Sequence, residues 1–182
     1  MKKVFVSIAA CTVVSFVSPF VCAETPKMPK PGAEHQRLGY FVGEWKGEGE
    51  MKPSDMGPGG KITSTDKCEW FDGKYAVVCR SQGSCPMGAT KSLGIMGYSA
   101  EEKVYTYYGV DNMGMTMTSV PHGTLKGDTW TYNSEGMMHG KNMKMRVTIK
   151  EVSPTVHTFS MDMEGADGKW ARVMDSKFTK VK

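Results

Sequence analysis

Turn signals recur about every ten residues from position 43 onward, and this spacing limits the possible folds more than any other feature. They are short groups of turn-forming residues, such as those at 52–54, 72–74, 126–128, 153–154 and 167–168. No long helical period lies between them, so each interval fits one strand of a hairpin. About ten strands joined in this way predict a single antiparallel up-and-down β-barrel, whose closure leaves no open edge.

The strands alternate between apolar and polar residues, which predicts the side of each strand that faces the interior. In the first strand Trp45, Gly47 and Gly49 share a face, and the two glycines leave interior space without side chains. Later strands place mainly methionine and aromatic residues inside, and flexible thioethers suit an adaptable pocket. The predicted ligand pocket is Trp45, Met113, Met115, Met117, Met143, Met145, His157, Phe159, Met161, Met163 and Arg172.

The region before the strands has the pattern of an exported protein. A charged start, an apolar run and a small-residue site at Ala23 predict a signal peptide over residues 1–23. Residues 24–32 predict a flexible leader, and 33–182 the barrel domain with one short helix at 33–41. We therefore expect a periplasmic or secreted protein without stable membrane insertion. Loss of Lys2 and Lys3 lowers the net charge from +4 to +2, too balanced for nucleic-acid binding.

Three cysteines remain after removal of the signal peptide, namely Cys68, Cys79 and Cys85. The turn at 72–74 folds residues 67–71 back on 75–80, and a two-residue loop would place Cys68 directly opposite Cys79. We therefore predict a Cys68–Cys79 disulfide, which persists in an exported protein, with Cys85 free. A bridge between Cys79 and Cys85 is the rival pairing.

Two polar residues share faces with apolar ones and are the candidate ligand-orienting groups. His157 is the one histidine on an apolar face, and Arg172 alternates with Trp170 and Met174. Either side chain could hold a carboxylate or a carbonyl of an amphipathic ligand. A charge on an inward face also needs a partner, and stacking of Arg172 on Trp45 would supply one where the first and last strands meet.

The 16 methionines allow a second interpretation, because thioethers select Cu(I). The best candidate metal cluster is Met137, Met138, His139 and Met143, with Met145 close in sequence. Its methionines continue into Val147 and Ile149 on one face, as in a core, which favours a pocket over copper. A haem held by His157 is a third interpretation, and a filled barrel that acts through its surface is a fourth.

Six short segments, taken in order, carry a resemblance across nearly the whole chain after the leader. They are Leu38-Gly39-x-Phe41-Val42-Gly43-x-Trp45, Gly94-x-x-Gly97-Tyr98, Asp111-Asn112-Met113-Gly114, Lys144-x-Arg146-Val147, His157-Thr158-Phe159-x-Met161 and Asp167-Gly168-Lys169. They resemble the domain-of-unknown-function 1579 (DUF1579) family, grouped with the calycin, or lipocalin-like, barrels. The resemblance implies a barrel of about ten strands and no activity. It also implies a structural role for Trp45, with a basic residue, here Arg172, closing the barrel over it.

These patterns predict an exported barrel that binds a small apolar or amphipathic molecule and is not an enzyme. The sequence has no Gly-x-Ser-x-Gly, no His-Glu-x-x-His and no Walker loop. No cofactor and no nucleic-acid partner is expected. Binding of copper or haem through the Met and His residues is the alternative function.

Overall fold

The computed structural model describes residues 30–114, 116–138 and 140–182, apart from the side chains of Thr116 and Met138. Helix α1 (Ala33–Arg37) runs into a 3-10 turn (Leu38–Phe41), and eleven strands follow. They are β1 (Gly43–Met51), β2 (Gly60–Trp70), β3 (Val77–Cys85), β4 (Gly88–Ser99), β5 (Val104–Asp111), β6 (Thr116–Met117), β7 (His122–Lys126), β8 (Thr129–Met138), β9 (Lys141–Ser153), β10 (Val156–Glu164) and β11 (Trp170–Lys180). A further 3-10 turn, Asp72–Lys74, joins β2 to β3. The predicted signal peptide and most of the predicted leader lie outside the described residues.

Ten of these strands form a closed antiparallel barrel, which confirms the predicted fold and its short N-terminal helix. The two-residue β6 pairs with the part of β8 that β7 does not reach. The barrel closes where β1 pairs with β11, from Trp45 opposite Lys180 to Met51 opposite Met174. Within the described residues, no helix has the length and apolar character needed to cross a bilayer.

Helix α1 and the 3-10 turn after it close one end of the barrel. Phe41 is buried against Trp130, with the two ring centroids 5.1 Å apart. Trp45 Nε1 donates a hydrogen bond of 2.7 Å to the Phe41 carbonyl oxygen. Arg37 Nη2 and Trp130 Nε1 each donate a bond of 2.7 Å to the same oxygen, Glu151 Oε1. Apolar burial and satisfied indole groups therefore fix this cap on the barrel.

The β1–β2 loop covers part of the opposite end. Its Met56 is only 3% exposed, although it lies outside the strands. The side chain belongs to a buried group, here called the Met56 cluster, formed by Met56, Met143, Met145, Met163 and Val173. The thioether chains fill the irregular space between the loop and β9 to β11. This end of the barrel is thus partly filled by core packing.

The predicted disulfide is confirmed. Cys68 and Cys79 are directly opposite in the β2–β3 pair and are bonded, while Cys85 is free. The loop between β2 and β3 is longer than the predicted two-residue turn. It is closed by a hydrogen bond from the Phe71 N–H to the Ala76 carbonyl oxygen. The register is nevertheless the one that sets the two cysteines face to face.

A β-bulge in β11 changes which residues of that strand face inward. Met161 pairs with Met174, but the next residue, Asp162, pairs with Arg172, so Val173 is the extra residue. Because side chains alternate with a period of two, the extra residue turns Arg172 to the outer face. The prediction that Arg172 lies in the pocket and packs on Trp45 is therefore wrong.

Arg172 instead belongs to an ion-paired group on the outside of the barrel. Its Nε donates to Asp162 Oδ1 at 2.6 Å and its Nη1 to Asp175 Oδ1 at 2.5 Å. Arg146 Nη2 donates to Asp162 Oδ2 at 3.2 Å and its guanidinium lies 4.6 Å from the Trp170 ring centroid. Burial alone would raise the pKa of Asp162, but the two arginines outweigh burial and lower it.

Candidate functional site

The barrel encloses a cavity of about 390 Å³ between the helical cap and the Met56 cluster. Side chains from nearly all the strands line it, and most of them are apolar. The volume falls within the range of about 300 to 1,000 Å³ that is usual for small-molecule pockets. The cavity is therefore large enough for a small ligand. The sequence alone does not predict whether the barrel is hollow or filled.

The cavity opens beside the β1–β2 loop. Met87 and Met113 line it and are 46% and 37% exposed, so they lie where the interior meets solvent. A second cavity of about 150 Å³ shares both residues and is also lined by Met56 and Cys85. We call this opening the mouth; it is bordered by Met56, Cys85, Met87 and Met113. Thioether side chains are flexible, so the mouth can adapt its width at low cost.

Most of the predicted pocket residues described by the structure come together at this cavity. Those that line it are Trp45, Met113, Met117, Met145, His157, Phe159 and Met161. Met143 and Met163 do not line it; both are buried in the Met56 cluster. Arg172 is on the outer face, and Met115 lies outside the described residues. Whether the lining residues bind a ligand stays a prediction.

His157 sits in a cage of aromatic rings at the capped end of the cavity. Its ring stacks on Phe178, with centroids 4.8 Å apart and planes 13° apart, and lies 4.6 Å from the Trp45 ring. The residue is 7% exposed, and its Nδ1 has no hydrogen-bond partner in the part of the chain that the structure describes. Burial, together with the nearby charge of Lys180, lowers the pKa of His157 to about 4. At neutral pH this imidazole is thus an uncharged polar group.

The basic residue over Trp45 is Lys180. Its Nζ lies 4.9 Å from the Trp45 ring centroid, at the point where β1 and β11 close the barrel. The same Nζ donates to the Tyr40 carbonyl oxygen at 3.5 Å. A basic residue does close the barrel over the tryptophan, but it comes from the end of β11 rather than from Arg172.

Three charged residues that the sequence patterns did not predict line the cavity, namely Lys91, Asp111 and Asp66. The Asp111 carboxylate accepts hydrogen bonds from the Met113 and Gly114 N–H groups. Asp66 is the residue of interest here. It lines the cavity from β2, and its carboxyl accepts hydrogen bonds from the Ser64 hydroxyl and, across the β2–β3 pair, from Ser81. Burial raises the pKa of Asp66, and the two serines counteract only part of this effect. Alternation along β2 could have identified this residue. If Cys68 faces inward, Ser64 and Asp66 lie on the same inner face.

Two tyrosines complete this polar region. The pKa of Tyr107 is raised, mainly by burial and to a smaller extent by the negative charge of Asp66. Tyr132 packs edge-on against it, with ring centroids 6.5 Å apart. Tyr132 is 6% exposed, and its hydroxyl has no hydrogen-bond partner among the described residues. We call Ser64, Asp66, Ser81, Tyr107 and Tyr132 the Asp66 cluster; all five line the cavity.

Two glycines are needed because aromatic rings approach the backbone closely. A Cβ on Gly47 would lie 2.4 Å from the Phe178 ring, and one on Gly123 would lie 2.4 Å from the Tyr132 ring. The prediction that Gly47 leaves open space is therefore wrong, because Phe178 fills it.

The methionine and histidine residues proposed for copper do not converge where the structure describes them. Met143 is buried inside the barrel, while Met137 is 37% exposed on the opposite face of the β8–β9 pair. His139 and the side chain of Met138 lie outside the described residues. In the described part of the chain, no group of three or more His, Cys, Asp or Glu residues is placed to hold a metal ion.

Comparison with known proteins agrees with this architecture. The model of a family described as "Protein of unknown function (DUF1579)" matches residues 30–180. Among curated proteins, none matches the sequence. Rv2717c from M. tuberculosis has a similar structure, with a TM-score of 0.61, 12% identity, and coverage of 84% of this chain and 100% of that one.

A second similar structure is the S-type phycobiliprotein lyase CPES from Guillardia theta. Its TM-score is 0.56 at 13% identity, and the match covers 82% of this chain and 93% of that one. At such identities the likeness establishes a common fold and carries no information about a shared ligand.

Proposed function

This chain belongs to the DUF1579 family of proteins of unknown function, and we propose that it binds a small apolar or amphipathic molecule inside its barrel. The observation that carries the proposal is the cavity of about 390 Å³. An engineered apolar cavity of about 150 Å³ in another protein already binds benzene, so a space of this size accommodates a larger guest.

The chemistry of the walls supports the same proposal. Met117, Met145, Phe159 and Met161 give the cavity adaptable apolar surface. His157 and the Asp66 cluster add a few polar groups to these walls. A small-molecule pocket typically combines apolar walls with a few polar groups of this kind.

We also propose that the protein acts outside the cytoplasm and is a binding protein rather than a catalyst. The Cys68–Cys79 disulfide is compatible with export, because such bonds persist in oxidising compartments. The predicted domain plan is a signal peptide at 1–23, a leader at 24–32 and the barrel at 33–182. The exported barrel would bind its ligand without changing it chemically.

The proposal can be tested with the neutral, environment-sensitive dye Nile red. We expect saturable fluorescence enhancement with the wild-type protein, because the dye leaves water for an apolar interior. The variant Met161→Trp places a bulky ring in the cavity and should weaken binding about tenfold or more, through overlap with the guest. Met137→Trp is the matched control, since Met137 points outward and is 37% exposed.

The expected pattern is normal binding by the control and weak binding by the cavity variant. Circular dichroism of both variants establishes that the barrel is intact. If Nile red fails to saturate, or if Met161→Trp binds as well as Met137→Trp, the cavity is not the binding site and the proposal is refuted.

A further inference from the structure

The charged residues that line the cavity differ from those a carboxylate-binding pocket needs. Among the described residues, the basic side chains that line it are Lys91, which is exposed, and His157, which is uncharged at neutral pH. Arg172 is on the outer face, and Lys180 lies over Trp45 without lining the cavity. An anionic headgroup inside the barrel would therefore have no cationic partner beyond Lys91.

Asp66, in contrast, requires a positively charged partner or further hydrogen-bond donors. It is a carboxyl group in a largely apolar cavity, and its hydrogen-bond partners within the protein are the neutral hydroxyls of Ser64 and Ser81. Removing a carboxylate from water is costly unless an opposite charge or several donors compensate for it. Two hydroxyls compensate only in part, so the site as folded has an unmet demand for positive charge or further N–H donors.

We propose that the ligand carries a cationic nitrogen group, such as a protonated amine, that pairs with Asp66 while its apolar part occupies the rest of the cavity. This inference rests on the proposed function and specifies its ligand as a cationic amphiphile. The ammonium N–H groups would supply charge-assisted hydrogen bonds to the Asp66 carboxylate.

The tyrosines beside Asp66 favour the same class of guest. Tyr107 is close enough to Asp66 for its pKa to respond to that charge, and Tyr132 packs against Tyr107. Aromatic rings attract cations through their π faces, and a buried location strengthens this attraction.

The methionine-rich side of the cavity would hold the apolar part. Met117, Met145 and Met161 line it together with Phe159. A neutral alcohol of equal length would use these contacts equally but would lack the ion pair, and a fatty acid would place its own charge near Asp66. The three headgroups therefore separate the contributions of apolar contact, cation and anion.

The experiment measures displacement of Nile red by octylamine, octan-1-ol and octanoate at pH 7. We expect octylamine to displace the dye at a concentration about tenfold or more below that of octan-1-ol, because its ammonium group adds a charge-assisted hydrogen bond to Asp66. Octanoate should be the weakest. Asp66→Asn should remove the preference for the amine and leave octan-1-ol unchanged.

Asp128→Asn is the matched control, because Asp128 is an exposed carboxylate in the β7–β8 hairpin. Nile red binding by Asp66→Asn establishes that this variant is folded. The inference is overturned if the dye binds but octylamine has no advantage, if the advantage survives Asp66→Asn, or if octanoate is preferred. Loss of preferred octanoate binding in Lys91→Gln would assign an anion site at Lys91 instead. Absence of dye binding by the wild-type protein would refute the proposed function itself and this inference with it.

Discussion

Replacing His157 with Gln is expected to remove a specific part of the protein's acid sensitivity. His157 is 7% exposed between the rings of Trp45 and Phe178, and its pKa falls from 6.5 to about 4 on folding. In the unfolded chain the imidazole takes up a proton near pH 6.5, while in the folded barrel it does not until about pH 4. The unfolded state therefore binds more protons throughout this window, and stability falls as the pH is lowered.

The magnitude follows from the size of the pKa shift. Each unit of pKa difference corresponds to about 1.4 kcal/mol, so a shift from 6.5 to about 4 gives about 3 kcal/mol. This contribution is complete above pH 6.5 and is lost progressively toward pH 4. The Gln side chain does not titrate, so His157→Gln should lack this slope, while any packing cost of the substitution is the same at every pH.

Urea unfolding, followed by tryptophan fluorescence from pH 7 to pH 4.5, measures how the free energy of unfolding of each protein depends on pH. We expect the stability difference between wild type and variant to change by about 2 to 3 kcal/mol over this range, in the direction that favours the variant at low pH. An NMR titration of the His157 ring should have its midpoint near 4. Parallel loss of stability by the two proteins, or a ring that titrates near 6.5, would refute the reasoning.

Two further predictions concern the barrel wall and the maturation of the chain. Trp45→Ala should lower the free energy of unfolding by about 3 to 5 kcal/mol, because Trp45 is 1% exposed, bonds to Phe41 and lies under Lys180. Trp170→Ala, at a 38% exposed position, is the control for urea unfolding and should cost about 1 kcal/mol or less; equal costs would contradict a closing role for Trp45. The mature protein should begin at Glu24, and intact mass spectrometry of protein isolated from an exporting host would detect a retained signal peptide instead.

The architecture and the disulfide could be predicted because both depend on local patterns. Regular turn spacing determines the number of strands, and strict alternation determines which residues face inward. The β2–β3 register depends on one turn and two flanking strands, so the pairing of Cys68 with Cys79 follows from a few neighbouring residues. Aromatic and methionine positions such as Phe159 and Met161 were assigned to the interior for the same reason.

The errors arose where a single residue or a distant segment breaks the pattern. Val173 adds one residue to β11, which the alternation does not reveal, and Arg172 is consequently outside. Met143 and Met163 are buried as predicted, but they belong to the Met56 cluster, which includes a loop residue, and do not line the cavity. Asp66 was missed for another reason: β2 carries polar residues on both faces, so its inward face does not stand out by hydropathy.

The pairing of β1 with β11 has a consequence for how the chain folds. Trp45 and Lys180 are neighbours in the closed wall but lie near opposite ends of the described chain, so their pairing carries a large loop-closure entropy. The remaining strand pairs join residues that are closer in sequence, and most of them can form as successive hairpins. Until β11 docks, the growing sheet has two unprotected edges that can pair with other chains. Closure of the wall is thus the step that both completes the cavity and ends the period of greatest aggregation risk.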